Sequence, residues 1–246
     1  MSEGGTVYGL HAVRTLLERH PGRVRQVWLQ AGRADARAEQ VRRLAAERGV
    51  RVATRPGLEL DRMAEGGVHQ GVVAEVSGTA TPGEDDLADI VRAAGPAVLL
   101  LVLDGVQDPH NLGACLRTAD AAGVHAVIAP RDRATGLTPV ARKVAAGAAE
   151  AVPFIQVTNL ARTLARLKEL GVWIVGAAGR AEMELYQADL KGPLAIVMGS
   201  EGAGLRRLTR EACDFTVRLP MLGVVESLNV SVATGVVLYE ARRQRR

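Results

Sequence analysis

Apolar and polar residues alternate along the first part of the chain in patterns that predict strands and helices in turn. Residues 34–48 place Ala38, Val41 and Ala45 on one face of a helix, and Gly49 follows as its stop. The elements predicted before residue 77 are helices over 9–19, 34–48 and 58–64 and strands over 24–29, 50–54 and 72–76. Helices and strands that alternate in so short a space favour a compact α/β/α sandwich.

A second and longer alternation fills the rest of the chain. Several of its apolar runs are continuous, which is typical of parallel strands covered on both faces. Leu160, Leu164 and Leu167 lie at helical spacing, and Thr158 or Asn159 is suited to cap that helix. The predicted strands are 98–103, 126–129, 152–157, 172–176, 194–198 and 215–219, and the predicted helices are 111–122, 139–147, 159–170, a short one after Gly204 and a long one from near Ser227. This half is predicted to be a doubly wound parallel sheet.

One segment between the two patterned regions consists of small and polar residues and contains proline and glycine. It runs from Ser77 to Asp86, and this composition is typical of a connection between domains. We therefore predict a first domain over 1–76, a linker over 77–88 and a second domain over 89–246.

The composition limits the class of protein. Hydrophobic residues make up 48% of the chain and charged residues 24%, as in ordinary soluble globular proteins. No apolar run approaches the ~18 residues of a membrane span, and the first residues lack the features of a signal peptide. We expect a cytoplasmic protein without a membrane partner. The cysteines, Cys115 and Cys213, form no CxxC pair and no HxxxH pair occurs, so no metal site is expected.

The net charge of +4 is distributed unevenly along the chain. Residues 1–76 contain 12 arginines against 9 acidic residues, whereas residues 77–246 contain 19 basic and 18 acidic residues. A mild basic excess is compatible with a nucleic-acid partner and does not establish one. The arginines considered for phosphate contacts are Arg14, Arg23, Arg25 and Arg33, each of which, taken alone, is more often a solvated surface charge.

Three predicted strands run into loops too unusual to be plain connections, at the end of the sheet where ligands of open parallel sheets bind. The first loop, 103–120, contains Asn111 and Arg117. Asn111 is suited to cap the next helix, which is the plain structural alternative to a role in a site. Arg117 lies in a run of Leu, Ala and Cys close to a strand end, and this position favours a role in anion binding.

The second and third loops add glycines and further polar residues. The second, 196–205, has the spacing GxxGxG with Glu201 among the glycines. This spacing is not the GxGxxG of dinucleotide folds, and no P-loop GK[ST] is present. The third loop, 219–235, contains Ser227, a candidate helix cap, and Asn229. Both side chains are expected at the mouth of the sheet.

In this order and spacing, the three loops resemble the signature motifs of the SpoU/TrmH branch of the SPOUT methyltransferases, over roughly residues 97–244. Residues 8–13 and 69–71 resemble the substrate-binding domain of some members, which is similar to ribosomal protein L30e. The resemblance implies an α/β fold with an N-terminal L30e-like α/β/α domain and a C-terminal parallel-sheet SPOUT domain with a trefoil knot. It also implies a homodimer.

The resemblance further implies transfer of a methyl group from S-adenosylmethionine to a ribose 2′-hydroxyl of RNA. Over its full length the chain resembles bacterial members that methylate a guanosine in the peptidyl-transferase region of 23S rRNA, free or within a large-subunit assembly particle. The positions that match the family's cofactor site are Gly199, Leu219 and Leu228. The positions that match its polar active-site residues are Asn111, Arg117, Glu201, Ser227 and Asn229.

A guanidinium stays protonated at ordinary pH, so Arg117 is expected to bind the RNA phosphate and stabilise the developing alkoxide. The phosphate or a water then takes the proton. Asn111 and Asn229 are expected to orient Arg117 and the ribose, and Glu201 to fix Arg117 or an adjacent polar group. The alternatives are a tRNA ribose methyltransferase, a catalytically silent RNA-binding SPOUT protein, and a nucleotide-dependent oxidoreductase, which lacks its GxGxxG motif. The sequence leaves open the target nucleotide and which subunit supplies Arg117.

Overall fold

The computed structural model describes residues 5–33, 35–77, 82–200 and 202–246. They form two compact units. The first contains the described residues up to 77 together with Ala146–Ala151, and the second contains Pro82–Ala145 and Val152–Arg246. Within these described ranges, no helix is long and apolar enough to cross a membrane.

The first unit is built on a mixed four-stranded sheet. Its strands are β1 (Gly5–Tyr8), β2 (Val24–Gln30), β3 (Arg51–Arg55) and β4 (Val72–Val76), and its main helices are α1 (Leu10–Arg19), α2 (Ala36–Glu47) and α3 (Gly57–Met63). The strand order is β1-β4-β2-β3, in which β2 and β3 are parallel and the other pairs antiparallel.

Helices cover both faces of this sheet. On one face, α1 and α2 bury Leu16 and Val41 against Val72 and Ala74. Val73 lies between those two strand residues, so its side chain points to the opposite face, where it is also fully buried. There α3 contacts β2 and β4 and buries Leu60. The α/β/α sandwich predicted from the sequence is therefore confirmed.

The second unit is built on a seven-stranded parallel sheet. Its strands are β5 (Leu99–Asp104), β6 (Ala126–Pro130), β7 (Phe154–Val157), β8 (Trp173–Ala177), β9 (Met183–Glu184), β10 (Leu194–Gly199) and β11 (Phe215–Arg218). The helices along residues 82–246 are α4 (Leu87–Ala94), α5 (Pro109–Ala121), α6 (Pro139–Ala145), α7 (Ala148–Ala151), α8 (Leu160–Glu169), α9 (Arg207–Ala212) and α10 (Val230–Gln244). The strand order is β7-β6-β5-β10-β8-β11-β9, and all its pairs are parallel.

The continuous apolar runs form the centre of this sheet, as predicted. Every residue of β5 is buried, and so are the first five residues of β10. The leucine-spaced helix is α8, and Asn159 is its cap, because the side chain of Asn159 accepts a hydrogen bond from the backbone of Arg162. The parallel-sheet architecture is confirmed, while the trefoil knot stays a prediction.

Two helix starts differ from the prediction. The long final helix begins at Val230 and is capped by Asn229, so the assignment of Ser227 as its cap is wrong. The helix predicted from residue 111 begins at Pro109 and is capped by Asp108, whose side chain accepts a hydrogen bond from the backbone of His110. Asn111 therefore lies inside the first turn of α5, and its side chain is not the cap.

The connection between the predicted domains also holds unexpected structure. The helix α4 begins at Leu87, within the predicted linker, because Leu87 and Val91 pack into the core of the second unit. Residues 78–81 of the linker lie outside the described residues. The short helix α7 belongs to the first unit although it lies within the predicted second domain, 89–246.

Candidate active site

A cavity of about 810 Å³ opens at the C-terminal edge of the seven-stranded sheet. Its walls come from the residues that end and follow β8, β10 and β11, and from the segment that leads into α10. Ligands of open parallel sheets bind at this edge, and the volume is in the range of small-molecule sites.

The loop after β10 folds back on itself to form one wall. The backbone N–H of Ser200 donates to the carbonyl of Gly204 at 3.1 Å, and the N–H of Gly204 donates to the carbonyl of Ser200 at 2.9 Å. Gly199 lies directly against this turn, since a Cβ atom there would lie 2.2 Å from the carbonyl carbon of Gly204. Gly204 adopts a φ of +67°, in the region that favours glycine. The glycines therefore bring bare backbone to the cavity.

The three residues predicted to hold a cofactor, Gly199, Leu219 and Leu228, all line this cavity. Ser227 lines it as well. A further wall, residues 177–180 after β8, was not identified from the sequence. Its sequence, Ala-Ala-Gly-Arg, matches no motif. The sequence indicated this wall only as the end of a predicted strand followed by small residues.

Asn111 and Asn229 join the first and third of the predicted loops. The Nδ2 of Asn229 donates to the Oδ1 of Asn111 at 3.0 Å. The Oδ1 of Asn229 caps α10 by accepting from the backbone N–H of Ser231 at 2.9 Å and from its hydroxyl at 2.6 Å. The two asparagines thus fix the start of α5 beside the start of α10. Farther along, the same helices bury the Cys115 thiol 3.6 Å from the Thr234 hydroxyl.

Arg117 is exposed on α5 and does not line the cavity of its own chain. In the part of the chain that the structure describes, its guanidinium makes no hydrogen bond or ion pair, with Asn111 and Asn229 or with any other residue. Glu201, the remaining predicted polar residue, lies outside the described residues. The structure thus joins Asn111 and Asn229 by a hydrogen bond, and Arg117 forms no hydrogen bond with either of them.

The arginines considered for RNA phosphate differ in their surroundings. Arg25 is exposed, and Arg14 and Arg23 are half-buried. Arg14 lies 3.6 Å from a carboxylate oxygen of Glu18. Arg33 already bonds the carboxylate of Asp35 and the carbonyl of Gln70, and its guanidinium is the main reason that the pKa of Asp35 is lowered. Arg33 is thus the most committed of the four to contacts within its own unit.

Neither cysteine is poised for nucleophilic chemistry. Burial is the main cause that raises the pKa of the Cys115 thiol to about 11 and that of the Cys213 thiol to about 11. Both therefore stay protonated at neutral pH. Among the described residues, no group of three or more His, Cys, Asp or Glu side chains is arranged to hold a metal ion.

Comparison with known proteins agrees with this arrangement. The SpoU rRNA methylase family matches residues 98–239, and the substrate-binding domain of RNA 2′-O ribose methyltransferases matches residues 6–82. The 23S rRNA (guanosine-2′-O-)-methyltransferase RlmB of Pseudomonas putida is 59% identical over 245 residues, which cover 100% of this chain and 98% of that protein. The RlmB of Escherichia coli is 54% identical over 239 residues, 97% of this chain and 98% of that protein.

A solved structure with the same architecture is the AdoMet-bound rRNA methyltransferase from Sinorhizobium meliloti. It is 26% identical, superposes with a TM-score of 0.75, and the match covers 98% of this chain and 87% of that one. The family match spans more than half of the chain, and the similarity to the two curated relatives extends over nearly all of it. The chain belongs to the SpoU rRNA methylase family.

Proposed function

We propose that this protein transfers a methyl group from S-adenosylmethionine to the ribose 2′-hydroxyl of a guanosine in 23S rRNA. The observation that carries the proposal is the 54–59% identity, over essentially the whole chain, to enzymes named for that reaction. Family membership supports the reaction class, and identity at this level supports the substrate. We propose the peptidyl-transferase region as the target, reached in free rRNA or in a large-subunit assembly particle, and the cytoplasm as the place of action.

The cavity suits an adenosyl cofactor. Leu219 and Leu228 contribute apolar side chains on which an adenine ring can pack, and the loop around Gly199 brings backbone donors and acceptors to its edge. Glu226 places a negative charge at the lining and Arg180 and Arg210 place positive charges there, as suits a ligand with an ammonium and a carboxylate group. When bound, S-adenosylmethionine supplies an electrophilic methyl group on its sulfonium.

The polar residues then have to position the ribose and stabilise the negative charge that develops on its 2′-oxygen. Arg117, whose guanidinium makes no hydrogen bond or ion pair within the described part of its own chain, is available to bind the phosphate next to the target ribose. Its guanidinium stabilises negative charge on the 2′-oxygen as the proton leaves to a phosphate oxygen or a water. The bonded pair of Asn111 and Asn229, with Ser227 at the cavity wall, orients the ribose. Placement of this kind supplies ~7–11 kcal/mol of a barrier.

The arginine provides a direct test of this division of roles. Arg117→Lys keeps the charge and loses the planar fork that binds a phosphate through two parallel hydrogen bonds. We expect turnover on RNA to fall at least about tenfold, the equivalent of losing ~1.4 kcal/mol of stabilisation in the transition state, while affinity for S-adenosylmethionine stays unchanged. Nearly full turnover in the lysine variant would contradict the phosphate clamp.

We also propose that the active form is a homodimer. Large apolar side chains are exposed in the loop before α10 and on α10 itself, namely Leu222, Val224, Val225, Val232 and Tyr239. Clustered exposed apolar residues are typical of protein interfaces. Because Arg117 does not line its own cavity, we propose that the arginine of one subunit serves the cavity of the other. Mixing Arg117→Lys and Gly199→Ala subunits, each impaired on its own, should then give more activity at limiting S-adenosylmethionine than either variant alone. No gain on mixing would contradict the exchange.

For the chain as a whole, we propose an RNA-binding domain over 1–76, a linker over 77–88 and a catalytic domain over 89–246. The match of residues 6–82 to a substrate-binding domain supports this division. Replacing Arg14, Arg23 and Arg25 together by glutamine should weaken RNA binding and flatten its salt dependence by roughly 0.7–0.9 in log–log slope per lost phosphate contact. An unchanged salt slope would remove these arginines from the RNA interface.

The experiment that tests the function is methyl transfer with labelled S-adenosylmethionine. Purified protein is incubated in parallel with in vitro transcribed 23S rRNA, a large-subunit assembly particle and bulk tRNA. We expect label in 23S rRNA or the particle and none in tRNA. Label in tRNA alone would keep the chemistry and refute the substrate, whereas cofactor binding without transfer to any of the three would favour a silent RNA-binding protein.

A further inference from the structure

A buried carboxylate lies directly beneath the glycine loop of the cavity. Asp104 is the last residue of β5, is fully excluded from solvent, and pairs in register with Gly199 at the end of β10. Its Oδ2 accepts a hydrogen bond from the backbone N–H of Arg206 at 2.9 Å. Its Oδ1 accepts from Nε of the same arginine. Both oxygens of one carboxylate therefore hold one residue 102 positions later in the chain.

The loop from Gly199 to Arg206 is thus tied at both ends to a single strand. Its entry lies beside Asp104 in the sheet, and its exit is bonded to the Asp104 side chain. Just before the exit, Leu205 packs closely on Gly176. A Cβ atom added to Gly176 would lie 2.7 Å from the Cδ1 of Leu205. Charge-assisted hydrogen bonds are stronger than neutral ones, and water does not reach the buried Asp104 carboxylate to replace them.

We propose that Asp104 is a positioning residue for the cofactor cavity, whose carboxylate holds the loop of residues 199–206 in the shape that binds S-adenosylmethionine. The identification of the ligand as S-adenosylmethionine rests on the proposed function. The role of Asp104 in fixing the loop does not depend on it. Asp104 does not line the cavity and takes no part in methyl transfer. Its effect on the reaction passes through the backbone that Gly199 and Gly204 present to the ligand.

The protein contains a second aspartate with the same set of contacts away from the cavity. The Oδ2 of Asp214 accepts from the backbone N–H of Ile174 at 2.7 Å, and its Oδ1 lies 2.9 Å from the ammonium of Lys168. Like Asp104, it binds one backbone N–H and one basic side chain. Asp214 precedes β11, whose opposite end borders the cavity. It is therefore a control for the loss of one backbone and one basic partner, at a position that is more exposed than Asp104.

Three full-length variants separate positioning from stability. In Asp104→Asn, the amide –NH2 faces one of the two Arg206 donors whichever way the side chain turns, so one hydrogen bond is replaced by a repulsive contact. We expect the Kd for S-adenosylmethionine, measured by titration calorimetry, to rise about tenfold or more. Arg206→Met keeps the backbone bond and should raise it roughly threefold. Asp214→Asn should leave it within about twofold of the wild type.

A second measurement follows the loop without any ligand. Hydrogen–deuterium exchange of the backbone amides at 200–206 should be faster than in the wild type for Asp104→Asn and Arg206→Met, and unchanged for Asp214→Asn. At saturating cofactor, Arg206→Met should keep a kcat close to that of the wild type while its KM for the cofactor rises. An ion pair that only stabilised the fold would not raise the KM for the cofactor while leaving kcat unchanged.

The outcomes are distinguishable. Wild-type affinity and wild-type exchange in both Asp104→Asn and Arg206→Met would overturn the proposal, as would an equal loss of affinity in Asp214→Asn. If Asp104→Asn fails to fold, Arg206→Met decides alone, because it removes a partly exposed guanidinium and leaves the bond from the Arg206 backbone to the buried carboxylate. A wild type that binds no S-adenosylmethionine would refute the proposed function, and the exchange data would still decide whether Asp104 holds the loop.

Discussion

A methyl group at position 199 would abolish the close approach that shapes the cavity. The Cβ of Gly199→Ala would lie 2.2 Å from the carbonyl carbon of Gly204, 2.5 Å from its oxygen and 2.5 Å from the backbone nitrogen of Leu205. All three are backbone atoms, which cannot rotate aside as the end of a side chain can. The loop must therefore move away from β10 and lose the two hydrogen bonds between Ser200 and Gly204.

The size of the effect follows from the overlap. Overpacking at a site that cannot relax costs ~1–3 kcal/mol. For a domain of this size each kcal/mol corresponds to roughly 2–4 °C, so the melting temperature should fall by about 2–12 °C. The displaced loop forms a wall of the cavity, and we expect the Kd for S-adenosylmethionine to rise at least about tenfold, or ~1.4 kcal/mol.

Gly22→Ala, in the first unit, is the control. A Cβ at Gly22 has no atom within 4 Å, and substitutions at such sites usually change stability by less than ~0.5 kcal/mol. Both variants and the wild type are compared by calorimetric titration with S-adenosylmethionine and by thermal unfolding. A Gly199→Ala protein that binds and melts like the wild type would refute the described loop geometry.

Three further predictions concern packing and ionisation. Gly113→Ala puts a methyl group 2.6 Å from the carbonyl oxygen of Ala141, so thermal unfolding should show a loss of ~1–3 kcal/mol; an unchanged melting temperature would contradict the tight packing of α5 on α6. Because burial raises the pKa of Cys115 and of Cys213 to about 11, a thiol reagent at pH 8 should label both far more slowly in the native protein than in urea, and the buried Cys115 more slowly than the half-buried Cys213; equal rates in the native and the unfolded protein would contradict this. Hydrogen bonds from the arginine and the glutamine three and four residues later lower the pKa of Glu240 from 4.5 to about 2. The stabilisation from ionised Glu240 is thus complete above pH 4.5 and is lost as the pH falls through about 2. Glu240→Gln should therefore melt below the wild type at pH 7, with a gap that narrows toward pH 2, and a gap independent of pH would contradict the carboxylate's role.

The elements predicted correctly were those with strong and long apolar patterns. The run at 98–103 became β5, shifted by one residue, because a strand buried on both faces has to be apolar throughout. The short strands β1 and β9, of 4 and 2 residues, were missed. The two residues of β9 are too few to show a period, and β1 buries only one residue of four, so neither shows a strand pattern in the sequence.

Helix caps were assigned less well than helices. The final helix is preceded by several residues able to cap it, and the structure uses Asn229 where the prediction had Ser227. The same holds for α5, where Asp108 takes the place considered for Asn111. Which polar residue becomes the cap depends on where the incoming chain leaves its loop, and this is set by tertiary contacts.

The cavity was predictable in part. Gly199 stood out because glycines after an apolar strand indicate close backbone approach. The wall at 177–180 consists of three small residues and one arginine, a combination that forms no recognisable motif in the sequence. The bond between Asp104 and Arg206 spans 102 residues and exists only because β5 and β10 are neighbours in the sheet. Strand order of this kind is not encoded in any local pattern.

The proposed reaction is transfer of a methyl group to the 2′-oxygen of a guanosine ribose in 23S rRNA. The most direct test is to label 23S rRNA with the purified protein and S-adenosylmethionine, digest the product to nucleosides and identify the labelled one by mass spectrometry. We predict 2′-O-methylguanosine as the only labelled nucleoside, at one position in the peptidyl-transferase region. Label on a base, label on the ribose of another nucleoside, or no label in 23S rRNA would contradict the proposed reaction.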